Sequence, residues 1–291
     1  MLWRMDANAP AARDVPRMAL PDGTHVPALG LGTWKMGERR NNAAREASAI
    51  KLAVTLGMTL IDTAEMYGDG GAERVIGEAL AGRRDEVFLV SKVYPHNAGR
   101  KKAIAACEQS LRRLRTDHLD LYLLHWRGSI PLAETVDAFE QLQRDGKIAR
   151  WGVSNFDVDD LEELFLLPGG DACATNQVLY HLGERSVEWS LLPWLRARKV
   201  PIMAYSPLGQ GELLGNAELA RIAKTVRATP AEVALAWMLR QQDIMVIPQS
   251  SDLAHVRANR RATDVELDNM TLAALDAAFP PPRGPTPLAM I

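Results

Sequence analysis

The sequence predicts an α/β fold, a (β/α)8 (TIM) barrel with an N-terminal β-hairpin and extra C-terminal helices. Three observations lead there. Eight strand-like runs alternate with helix-like intervals. From the second onward, each run ends in polar or ionisable residues: Asp62, Lys92, His125, Ser154 with Asn155, Asn176 with Gln177, Tyr205 with Ser206, and Gln249 with Ser250. A barrel gathers such strand ends at one mouth, whereas an open sheet leaves its outer strands too far from the switch point to cooperate. An open nucleotide-binding sheet also calls for a glycine fingerprint. The nearest candidate, GDGGAE over 68–73, has Glu73 where the third glycine belongs.

The elements follow in order. Residues 1–16 show no periodicity and read as a flexible lead-in. That leaves 17–291 as a single barrel domain, with a C-terminal tail over 280–291. Runs 17–20 and 24–27 flank the turn signal Pro21, Asp22 and Gly23, which makes a hairpin. The eight strands are expected over 28–33, 59–63, 87–93, 119–126, 148–155, 173–179, 201–208 and 243–250. Helices fill the intervals. Ile104, Cys107, Leu111 and Leu114 share one helical face, as do Leu132, Val136, Phe139 and Leu142. Helices over 216–225 and 230–240 precede the last strand. Thr229 caps the second, with Pro230 at its first position and Glu232 in its first turn. A final helix over 267–279 stops at Pro280, Pro281 and Pro282.

Composition removes several function classes. Lys and Arg total 34 against 36 Asp and Glu, a net charge of −2. A chain so near neutrality has no field to attract polyanions, so nucleic acid is not expected as a partner. No apolar run approaches the ~18 residues of a membrane span, so no membrane partner is expected. Cys107 and Cys173 cannot form a disulfide framework. With no signal-like start, they read as reduced thiols of a cytoplasmic protein. The six histidines include no metal-like pair, so no metal site is expected.

Asp62, Tyr67, Lys92 and His125 come from three neighbouring strand ends. Taken singly, they read as a helix cap, a loop anchor, a strand-end charge and a core histidine. Taken in barrel register, they read as one site. A phenol is a weak acid with a pKa of about 10, and a nearby ammonium lowers it. Lys92 is the expected ammonium, with Asp62 as its counter-ion and His125 as a hydrogen-bond donor to a substrate oxygen. That set suits carbonyl reduction, where hydride reaches carbon and oxygen takes a proton. Trp34, Tyr94 and Trp126 near strand ends are expected to wall an apolar substrate pocket, while Trp151 and Trp237 are expected in the core.

The runs GMTLIDTAEMY (57–67), VSKV (90–93), LLHW (123–126), GVSNF (152–156), NQV (176–178) and AYSPL (204–208) resemble the aldo-keto reductase family. The resemblance runs from about Arg17 to about Phe279 and is strongest to bacterial methylglyoxal-reductase-like members. It implies that Tyr67 is the general acid, tuned by Lys92 and Asp62, and that His125 orients the carbonyl. It implies that Ser154, Asn155 and Gln177 hold a nicotinamide carboxamide, with Tyr205 stacked on the ring. Ser206 and Leu208 would line the pyrophosphate, and Gly32, Thr33 and Trp34 would border nicotinamide and substrate. The family often carries Ile-Pro-Lys-Ser with an arginine six residues after the lysine, both meeting the 2′-phosphate of NADPH. Here Gln249 and His255 stand at those positions beside Ser250, and Asn259 fits the adenine-contacting asparagine. Arg257, Arg260 and Arg261 are nearby substitutes for the lost cations, and no carboxylate is counted against the phosphate. The expected cofactor is therefore NADPH, with NADH possible, and the expected partner is a small carbonyl compound acted on by a monomer. Two other readings stay open: a Schiff-base lyase using Lys92 as nucleophile, and a non-catalytic, cofactor-binding redox-sensing subunit.

Overall fold

The computed structural model describes residues 14–291. Most of the expected lead-in, 1–13, lies outside the described residues. Val15 packs against the core, and the Pro16 carbonyl accepts the Ala28 N–H at 2.7 Å.

The hairpin pairs β1 (Arg17–Ala19) antiparallel with β2 (His25–Pro27). Eight parallel strands follow: β3 (Gly30–Gly32), β4 (Leu60–Asp62), β5 (Phe88–Val93), β6 (Leu121–Leu124), β7 (Trp151–Ser154), β8 (Asn176–Leu179), β9 (Ile202–Tyr205) and β10 (Ile244–Val246). They lie side by side in chain order. Parallel bridges Leu29↔Val246 and Gly32↔Gln249 bring the last strand back to the first. Each strand lies inside its expected run and is shorter. The ladder ends where the backbone turns away, at Asn155 with φ 58° and Ser206 with φ 47°.

Helices α1 (Ala43–Thr55), α2 (Gly71–Ala79), α3 (Arg100–Leu114), α4 (Leu132–Arg144), α5 (Val158–Phe165) and α6 (Leu191–Ala197) fill the first intervals. Helices α7 (Ala217–Thr225) and α8 (Pro230–Leu239) precede β10, and α9 (Leu253–Arg261) and α10 (Asn269–Ala278) follow it. Thr229 and Glu232 form a capping box at α8, which fixes its start. The last helix begins two residues later than expected because Asp268 caps it by accepting the Thr271 N–H at 2.8 Å.

Side chains alternate along each strand, which divides the core in two. Ile61, Leu89, Tyr122 and Leu124 face outward against the helices. Leu60, Val90, Leu123 and Met203 fill the barrel interior, whose lower end is plugged by Met18, Leu20 and Val26 of the hairpin. The same alternation carries the inward positions on to Asp62, Lys92, His125 and Gln177 at the opposite end. Trp151 and Trp237 are buried in the outer core.

Candidate active site

Lys92 ends the inward row of β5 and has no exposed surface. Its Nζ donates to Asp62 Oδ2 at 2.8 Å, to the Thr63 carbonyl at 2.8 Å and to Tyr67 OH at 3.2 Å. These three partners are as many as the N–H bonds of an ammonium. Burial pulls the Lys92 pKa down, while the charges of Asp62 and Glu73 oppose that pull. Tyr67 meets the His125 ring edge-on at 5.9 Å between centroids. His125 Nδ1 is buried without a hydrogen-bond partner. Burial, aided by the Lys92 charge, drops the histidine pKa to about 2, so the imidazole is neutral at any working pH.

One expectation is corrected here. Tyr67 is not shifted toward neutral pH by Lys92. Burial, followed by the Asp62 charge, holds its hydroxyl well above the ordinary phenol value. The physical reason is chiefly burial, which disfavours the charged phenolate, and the nearby Asp62 carboxylate adds to it.

The amide-bearing residues interlock beside this group. Gln177 Nε2 donates to Asp62 Oδ1 at 2.8 Å, so Gln177 supports the counter-ion, a link that spacing did not reveal. Asn155 Nδ2 donates to the His125 carbonyl and to Ser154 Oγ, each at 3.2 Å. Tyr205 OH donates to Asn155 Oδ1 at 3.0 Å. Burial raises the Tyr205 pKa to about 12. Thr33 is buried, its hydroxyl donating to the Asp62 carbonyl at 2.9 Å, and Gly32 has no room for a Cβ, which would lie 2.8 Å from the Ile247 carbonyl oxygen.

Tyr94 and Trp126 stand together over His125. Their rings are 5.8 Å apart edge-on, and His125 lies 4.9 Å from Trp126 and 6.4 Å from Tyr94. Trp34 makes no ring contact with this cluster. It is 37% exposed at the rim of a groove, with the Lys35 ammonium 4.2 Å over its ring. Glu65 ties the two loops of the mouth, accepting the Tyr94 N–H at 2.7 Å and Asn97 Nδ2 at 3.1 Å.

The groove has a volume of about 280 Å³. Trp34, Ser206, Leu208, Gln249, His255 and Asn259 line it, together with Lys35, Gln210, Gly211, Leu214, Ala231 and Ala258. Lys35 is the lining cation that sequence reasoning missed, and its only signal was adjacency to Trp34. Ser250 is not a lining residue. It is buried, its hydroxyl accepts the Asp252 N–H at 3.1 Å, and it also donates to the Asp252 carbonyl at 3.3 Å. Asp252 is not a lining residue either; it is the N-cap of α9, accepting the Ala254 and His255 N–H groups at 2.8 and 3.0 Å. One further expectation changes at this end. Arg261 pairs with Glu232 at 2.8 Å and Arg260 donates to the Leu56 carbonyl at 3.2 Å, so both are committed elsewhere.

The model of the Aldo/keto reductase family matches residues 28–279. The chain belongs to that family. It is 55% identical to methylglyoxal reductase YeaE of Escherichia coli over 91% of this chain and 95% of the relative. It is 35% identical to a glyoxal reductase of Bacillus subtilis over 92% of this chain and 95% of that one. A crystal structure of an aldo/keto reductase from Klebsiella pneumoniae in complex with NADP and acetate superposes with a TM-score of 0.92 at 47% identity. That match covers 94% of this chain and 99% of the other. Among the described residues of this reductase, no helix is long and apolar enough to cross a membrane.

Proposed function

We propose that this reductase converts methylglyoxal and similar small aldehydes to alcohols with NADPH, also accepting NADH, and works as a monomer in the cytoplasm. The observation that carries the reading is the chain Tyr67–Lys92–Asp62 beside a neutral His125. Every group in it comes from one polypeptide, and the unpaired buried thiols of Cys107 and Cys173 suit a reducing compartment.

The groove suits part of a dinucleotide. It is mostly apolar-walled, with neutral donors at Ser206, Gln249 and Asn259 and a cation at Lys35. Ser154, Asn155 and Gln177 present amide and hydroxyl groups suited to a carboxamide, and Tyr205 offers the flat surface beside them. A bound reduced nicotinamide supplies hydride to the carbonyl carbon.

The protein supplies the proton. Tyr67 is fully protonated at neutral pH and gives its proton to the carbonyl oxygen as negative charge develops there, because an alkoxide is a far stronger base than a phenolate. The Lys92 ammonium stabilises the phenolate left behind, and Asp62 keeps that ammonium charged in a dry site. His125, uncharged, orients the oxygen without competing as an acid. Tyr94, Trp126 and Trp34 wall the space where the rest of the aldehyde lies. The test is NADPH and NADH oxidation with a panel of small aldehydes. Turnover with methylglyoxal supports the reading. Tight dinucleotide binding with no turnover on any aldehyde replaces it with the sensor reading.

A further inference from the structure

Outside the site, Glu73 is the most deeply buried carboxylate among the described residues, with no exposed surface. It stands in the first turn of α2, which continues the turn bearing Tyr67. Both its oxygens are engaged. Ser91 Oγ donates to Oε1 at 2.7 Å, and Arg113 Nε donates to Oε2 at 2.5 Å. Ser91 precedes Lys92 on β5, and alternation sends Lys92 into the barrel and Ser91 outward onto α2. Arg113 comes from α3, where its Nη2 also donates to Ser110 Oγ at 3.2 Å. It also backs the turn after Tyr67, since a Cβ on Gly70 would lie 2.5 Å from Arg113 Cδ and Nε. One carboxylate thus reaches both the strand of the ammonium and the helix of the phenol. Buried ion pairs carry a desolvation cost that apolar packing avoids, so stability alone does not account for this one. Charge-assisted bonds supply direction and register instead.

We propose that Glu73 is a positioning residue for proton transfer, locking the strand that carries Lys92 to the turn that carries Tyr67 through Ser91 and Arg113. It touches no substrate and acts through the Lys92–Tyr67 contact of 3.2 Å, which a shift of a few tenths of an ångström would weaken. The proposal rests on the reading of Tyr67 as the acid.

The test uses the full chain. Ser91→Ala cuts only the strand link, and Ser91→Thr keeps a hydroxyl there. Single-turnover NADPH oxidation with methylglyoxal is followed in H2O and D2O, alongside the dinucleotide Kd and Tm. Ser91→Ala should slow the turnover about tenfold and raise the solvent isotope effect, with Kd within about twofold of wild type. Ser91→Thr should recover most of the rate. Glu73→Gln, which retains an acceptor for Ser91, should stay much faster than Glu73→Ala. An unchanged rate and isotope effect in Ser91→Ala, whatever its Tm, overturns the positioning role. So do equal rates for Glu73→Gln and Glu73→Ala. A wild-type protein inactive on every aldehyde overturns the functional reading itself, whereas an active wild type with a silent Ser91→Ala overturns only the role of Glu73.

Discussion

Lys92 Nζ and Asp62 Oδ2 stand 2.8 Å apart, with side-chain exposures of 0% and 3%. Neither ion can exchange its partner for water. Removing one therefore strands the other in the barrel, and Lys92→Met should destabilise the fold by about 3–5 kcal/mol. It should also stop turnover, because the phenolate loses its support. Adding Asp62→Asn should restore much of the stability and none of the activity. Urea midpoints of the single and double variants check this. An active double variant would detach the ammonium from the chemistry.

Tyr67→Phe should lower turnover about 10²–10⁴-fold while leaving dinucleotide binding nearly unchanged, because it removes the proton and keeps the ring. Retention of more than about a tenth of the wild-type rate would remove Tyr67 from its role.

The depressed pKa of His125 has a thermodynamic consequence. An unfolded-chain histidine takes up a proton near pH 6.5, whereas folded His125 does so only near pH 2. Through that window the unfolded state binds more protons, so stability falls as pH drops from about 7. His125→Asn should lose less stability than wild type between pH 7.5 and pH 5, by about 2 kcal/mol. Urea titrations at both pH values measure the difference, and parallel losses would count against a histidine held neutral.

The tail is pinned at its root. Arg185 donates to Asp276 Oδ1 and to the Phe279 carbonyl, each at 2.7 Å. Beyond that, Leu288 packs against the core and the Ile291 backbone faces the Tyr205 hydroxyl. Deleting 282–291 leaves the root contacts intact. It should raise KM for larger aldehydes with little change in Tm. A large fall in Tm would make the tail part of the core.

Gln249 lines the groove without a charge, and Asp252 carries a negative one outside the lining, at the N-cap of α9. Gln249→Lys should tighten NADPH by about 1–2 kcal/mol, roughly 5- to 30-fold, and leave NADH almost unchanged. Asp252→Ser keeps a helix cap, removes the charge and should act in the same direction more weakly. Fluorescence quenching with both cofactors at two salt concentrations reads this. Equal gains for NADH and NADPH would show that neither residue senses the 2′-phosphate.

The strand order, the hairpin, the α8 cap and the gathering of Asp62, Tyr67, Lys92 and His125 at one mouth were legible in the sequence. Hydrophobic alternation, turn residues and strand-end polarity are local signals, and a closed parallel barrel converts strand order directly into neighbourhood. What only the tertiary structure decided depends on direction and on burial. Gln177 supports Asp62 from 115 positions away. Lys35 turns into the groove over Trp34, Ser250 turns out of it toward Asp252, and Arg261 turns to Glu232. The sign of the Tyr67 shift also reversed. Spacing places an ammonium near a phenol, but only the three-dimensional site sets how much water is excluded around the phenol and how near the Asp62 carboxylate stands.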